Sequence, residues 1–125
     1  MSPRWRPQRG EIVLINFPFM DTGGQAQAKL RPAVVVSGQV VHQTTADVLI
    51  AAISSRPTSQ PLPTDYEITI GTPEHKQAGL RKTSWVKASN LANIPRSAVT
   101  RRLGRLTPAV LKELDKRLKL ALELS

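Results

Sequence analysis

Apolar residues come in short runs over most of the chain and take up helical spacing only near its end. Residues 11–17 alternate, with Ile12 and Leu14 set against Val13 and Ile15, so both faces are apolar and the segment reads as a buried strand. Residues 20–29 are small and polar, carry Gly23-Gly24 and read as a mobile loop. Residues 32–37 form a dense β-branched run, a central strand, and 46–53 supply the next one. A Pro/Ser loop over 54–63 leads to a half-exposed strand at 66–70 and another at 80–88, where basic and polar residues interleave with apolar ones. From Thr107-Pro108 the period changes. Val110, Leu111, Leu114, Leu118, Ala121 and Leu122 fall at i, i+3, i+4 spacing, which predicts an amphipathic helix. Thr107 suits its N-cap and Pro108 its first position, where the missing N–H costs nothing. Glu113 with Arg117, and Asp115 with Lys119, are expected as i, i+4 ion pairs.

Five or so short strands and one helix make a mainly β (α+β) chain: a small β-barrel with a C-terminal α-helix packed on it. At 125 residues there is room for one domain and one modest core. Residues 1–8 read as a flexible basic arm, and residues 9–125 as the domain.

Charge narrows the function. Lys and Arg number 18 against 9 Asp and Glu, a net charge of +9, and such a field concentrates polyanions. Nucleic acid or an acidic protein is the partner it favours. With no cysteine there is no thiolate nucleophile and no Cys-held zinc, which fits a reducing cytoplasm. No apolar run is long enough to cross a bilayer, so no membrane role is expected. His42 and His75 have no second ligand at metal spacing and read as solvated surface residues; neither a metal nor another cofactor is implied.

What remains is a cationic loop-and-strand surface. Lys29 and Arg31 flank Leu30, and Pro32 holds Arg31 extended at the mouth of a strand, either as a phosphate clamp or as a solvated strand-edge residue. Ser54 and Ser55 end a later strand, with Arg56 next. Arg101, Arg102 and Arg105 form a second basic cluster, a further polyanion-contacting strip or a solvated rim. Trp85 suits core or interface burial better than base stacking.

The order of these pieces resembles a known family. Arg9-Gly10-Glu11-Ile12-Val13, a Gly-containing loop ending Leu30-Arg31-Pro32, the run Ala33–Ser37, Ala52-Ile53-Ser54-Ser55, and Gly104-Arg105-Leu106-Thr107 before a Leu-rich helix are similar to MazF/PemK toxins, over residues 9–123. The resemblance implies an SH3-like barrel that dimerises and carries an RNA groove across the homodimer. It implies a growth-inhibiting endoribonuclease that cuts single-stranded RNA or mRNA at short motifs through the RNA's own 2′-hydroxyl, without a metal. By the same resemblance Arg31 and Ser54 match the catalytic pair, and Lys29, Ser55, Arg56, Lys87 and Asn90 are the RNA-binding candidates. A MazE-like antitoxin with an acidic C-terminal tail is the implied partner.

The chain departs from the family pattern in two places. Ala26-Gln27 stands where members often carry Glu-Gln, and Ser89-Asn90-Leu91-Ala92 lacks an acidic residue and an arginine. Weaker phosphate contacts, altered base preference or lost activity are all consistent with that. Two other readings stay open: a non-enzymatic, gyrase-binding toxin like CcdB, and a barrel that binds RNA with little cleavage.

Overall fold

A computed structural model describes residues 6–20, 26–57 and 59–125. Among these residues there are six strands: β1 (Glu11–Met20), β2 (Ala26–Val35), β3 (Asp47–Ser54), β4 (Asp65–Ile68), β5 (Ser84–Pro95) and β6 (Val99–Arg105). Three α-helices accompany them, α1 (Gln39–Thr44), α2 (Pro73–Ala78) and α3 (Pro108–Leu122), with a 3-10 turn at Arg96–Ala98. All strand pairs are antiparallel, in the order β4-β5-β3-β2-β1-β6. Among the described residues no ladder joins β4 to β6, so the sheet stays open there.

Both faces of the sheet are buried, as the two-sided pattern of β1 requires. One face gathers Ile12, Val34, Ala51, Ile53, Val86 and Ala88 under Val110 and Leu114 of α3. The other gathers Val13, Ile15, Ala33, Val35, Val48, Ile50 and Ile94. Successive residues of β1 thus feed different cores, because side chains alternate across a strand. A helix of α3's length is marginal in isolation, so burial of its apolar stripe is what holds it. Its start follows the sequence signals: Thr107 Oγ1 accepts the N–H of Val110 at 3.2 Å, and Pro108 opens the helix.

Several expectations are revised. Residues 26–29, read as loop, pair with β1 in the register Met20↔Ala26 to Phe17↔Lys29; positions 21–25 lie outside the described residues. The strand read at 80–88 starts at Ser84 and runs on to Pro95. β6, α1 and α2 were not apparent in the pattern. The expected i, i+4 pairs on α3 give way to other partners. Asp115 pairs with Arg9, Glu113 with Lys116, and Arg117 donates to the carbonyls of Pro63 and Asp65 while lying over the Tyr66 ring. Of the N-terminal segment, Pro7 is buried and the N–H of Gln8 donates to Glu11 Oε1 at 2.6 Å; residues 1–5 lie outside the described residues.

Candidate active site

The site begins where a ladder stops. β2 and β3 pair from Val35↔Ile50 to Ala33↔Ala52, and the next residue of β2 is Pro32, which has no N–H to offer. Arg31 and Ser54 each lie two residues past that last pair, one on either strand. Between the parting strands is a hollow of about 330 Å³ with an apolar floor of Ile15, Ala33, Ile50 and Ala52, and with Arg31, Ser54, Lys87 and Asn90 around it. A second, wider hollow of about 850 Å³ shares Arg31 and Ser54 and adds Lys29, Ser55, Arg56 and Lys82.

Ser54 is held by its own turn. Its Oγ accepts the N–H of Arg56 at 3.2 Å, which leaves the hydroxyl hydrogen to be directed elsewhere. In the β3–β5 ladder it stands opposite the half-buried Trp85. Arg31 is exposed and faces Ile15 in the β1–β2 ladder. Lys87 donates to the buried carboxylate of Asp65 at 3.1 Å, so its charge is anchored at the cavity wall. Asn90 arrives by a large irregularity: along β3 the partner jumps from Leu91 opposite Ala51 to Lys87 opposite Ala52. Residues 88–90 are thereby left out of that ladder, and Ser89 and Asn90 are exposed.

Neither histidine is the solvated surface residue that the sequence suggested. His75 is buried and its Nε2 lies 2.8 Å from the Lys82 carbonyl, to which it donates. His42 is half-buried, with Ser37 Oγ 2.6 Å from its Nε2. Burial, and then the neighbouring Arg96 guanidinium, push its pKa below the ordinary 6.5. Among the described residues no three His, Asp or Glu side chains gather as a metal-holding group, and no helix is long and apolar enough to cross a membrane.

A basic rim over an apolar floor, with a hydroxyl and a guanidinium on facing strand ends, suits an anionic polymer. Residues 8–122 match the model of the PemK-like, MazF-like toxins of type II toxin–antitoxin systems. The chain belongs to that family. Solved structures agree with this MazF-like assignment. An endoribonuclease from mycobacterial species, in complex with its cognate antitoxin, is 26% identical with a TM-score of 0.69, over 96% of this chain and 98% of that one. The Mycobacterium tuberculosis toxin MazF-mt6 shares the fold at 22% identity and a TM-score of 0.70, over 92% of this chain and 98% of the other. A MazE-MazF crystal structure from Deinococcus radiodurans does so at 24% identity and a TM-score of 0.67, over 97% and 99%.

All seven residues singled out from the sequence of this MazF-like chain therefore border the two joined hollows. The sequence reading missed Lys82, and it gave Lys87 no partner. The signal for Lys82 was present in the interleaved basic residues of 80–88, but nothing there told which cations face the same cavity.

Proposed function

We propose that this chain is a toxin endoribonuclease that cleaves single-stranded RNA by transesterification, with Arg31 and Ser54 as its catalytic residues. The observation that carries the reading is their placement on facing strand ends across one cavity with a cationic rim. The RNA's 2′-oxygen attacks the adjacent phosphorus and the bond from phosphorus to the 5′-oxygen breaks. A 2′,3′-cyclic phosphate and a 5′-hydroxyl result, and in the balance the 2′-proton ends on the 5′-oxygen. Such a step asks the protein for positioning and for stabilisation of the extra negative charge on the phosphorane.

Arg31 supplies that stabilisation through fixed, forked donors suited to phosphate oxygens; its high pKa makes proton delivery a secondary role. Ser54 directs its hydroxyl hydrogen at a phosphate oxygen, because its lone pair already accepts from Arg56. Lys29, Ser55, Arg56, Lys87 and Asn90 hold the strand on either side. The toxin acts as a cytoplasmic homodimer and is neutralised by an antitoxin whose acidic tail lies in the same basic groove; the endoribonuclease of mycobacterial species in complex with its cognate antitoxin supports this pairing.

The test is incubation with a long mixed-sequence RNA in EDTA, followed by mapping of fragment ends. Discrete cuts with 5′-hydroxyl ends, absent in Arg31→Ala and reduced in Ser54→Ala, are the expected result. RNA that stays intact while bound would overturn the catalytic claim and leave a binding barrel. RNA neither bound nor cut would point to a protein target, as in the CcdB-like reading.

A further inference from the structure

The hollow around Arg31 and Ser54 does not end at Arg56 and Lys82. A third hollow of about 310 Å³ meets it at Pro32, Ser55 and Lys82, and is walled beyond them by Arg81 and Arg101. Arg81 and Lys82 are adjacent in the chain, and two glycines bring them beside the distant Arg101. Gly79 ends α2 in the left-handed region (φ 73°), and a Cβ there would land on the Leu103 carbonyl. A Cβ on Gly104 would in turn land on the carbonyls of Gln77 and Ala78. The end of α2 therefore lies directly against β6, and the chain leaving α2 sets Arg81 and Lys82 beside Arg101.

The turn is fixed from beneath. The Lys82 carbonyl accepts from buried His75 Nε2 at 2.8 Å and from buried Ser84 Oγ at 2.9 Å. All three cationic side chains are exposed, and among the described residues none forms an ion pair with a carboxylate. Their neighbour Arg102, by contrast, is paired with Glu11 at 3.0 Å.

We propose that Arg81, Lys82 and Arg101 form a sequence-independent backbone-binding track for the RNA flanking the cleavage point, continuous with the catalytic cavity past Pro32 and Ser55. The proposal rests on the nuclease reading for the central cavity. A strand lying across Arg31 and Ser54 must leave the cavity over neighbouring surface, and this trough offers unpaired cations on a rigid base. Each phosphate so contacted releases counterions, which makes the track readable as salt dependence. The occupant we assign is single-stranded RNA.

The experiment compares the full chain with Arg81→Gln/Arg101→Gln, which spares Lys82 at the catalytic hollow, and with a control, Lys112→Gln/Lys119→Gln, which removes the same charge from α3. Binding of a labelled long single-stranded RNA is followed by anisotropy over a salt series, and cleavage is measured on that RNA and on a short RNA spanning one cleavage site. The track variant should lower the slope of log affinity against log salt by about 1.4, at roughly 0.7 per contact. Its KM for long RNA should rise on the order of tenfold, while kcat and cleavage of the short RNA hold and the control keeps the wild-type slope. Equal slopes in track variant and control would overturn the proposal. So would a track variant that binds RNA normally but no longer captures a Glu/Asp-rich peptide, which would reassign the trough to a protein partner. Because binding is read without cleavage, an uncut RNA whose affinity still drops in the track variant sinks only the catalytic reading.

Discussion

Lys87 reaches across the β4–β5 ladder to Asp65, its Nζ 3.1 Å from Oδ2 of a side chain only 1% exposed. The same Oδ2 accepts the N–H of Leu62 at 2.9 Å, while Oδ1 has no partner among the described residues. The lysine thus balances a carboxylate that has little else to offset its loss of water. Removing one member of such a buried pair leaves an uncompensated charge. Lys87→Ala should cost about 3 kcal/mol of stability, as read by urea unfolding. The double variant Asp65→Asn/Lys87→Met should recover most of that loss. A single variant of unchanged stability would show the pair to be incidental, and would make Lys87 purely an RNA contact.

The proposed catalytic pair, Arg31 and Ser54, should respond to chemistry rather than charge alone. Arg31→Lys keeps the positive charge but loses the planar fork, so cleavage should still fall, by a factor on the order of 100 or more in kcat. Ser54→Thr keeps the hydroxyl and stiffens the side chain, so its activity should stay near wild type, while Ser54→Ala loses on the order of tenfold or more. Single-turnover cleavage of one RNA measures both. An Arg31→Lys variant as fast as wild type would remove the argument for forked phosphate recognition.

Which parts of this arrangement could be read from sequence follows from how locally each is determined. α3 was legible because its cap, its first-turn proline and its stripe lie within one continuous stretch. β1 was legible because both its faces are apolar. β6 was not: Val99–Arg105 contains three arginines and a glycine, and it is a strand only because β1 offers it a ladder. β5 was cut short because its alternation breaks at residues 88–90, where the ladder itself breaks. Arg31 and Ser54 were found through a family resemblance. The hollow that joins them depends on Pro32 ending a ladder, and the track beside it depends on Gly79 meeting β6 next to Gly104, a contact no spacing rule predicts.

That glycine contact is itself testable. Gly79→Ala meets both a left-handed backbone and an occupied site, so it should lower stability by about 2–3 kcal/mol, and Gly104→Ala by a similar amount. Thermal unfolding checks the loss. Either substitution should also raise the KM for long RNA, as the base of Arg81 and Lys82 shifts. Wild-type melting in both variants would show that the close approach is not maintained.

The fold should also be sensitive to mild acid through His42. Its depressed pKa, caused first by burial and then by Arg96, means that the unfolded chain binds the proton more readily than the folded one. The stability contributed by the neutral ring is present above about pH 6.5. It is lost as pH falls through the lower folded-state value. The ring's Nε2 lies 2.6 Å from Ser37 Oγ, a hydroxyl that takes the N–H of Leu49 at 3.1 Å, so a change of charge there is felt by the start of β3. The melting temperature should drop as pH falls below about 6.5, and His42→Gln should flatten that drop. An identical pH profile in the variant would exclude His42 as its source.

The break in the β5 ladder has a consequence of its own. One step along β3 is matched by four along β5, so Asn90 at the cavity and its exposed neighbour Ser89 have no place in that ladder, while buried Ala88 stays tied by its N–H to the Thr64 carbonyl at 3.2 Å. Residues at this lip can be exchanged, or one inserted, without sliding either half of the strand past its neighbours. The paired frame and this lip are mechanically separate, so substitutions at Ser89 and Asn90 should leave folding stability nearly unchanged.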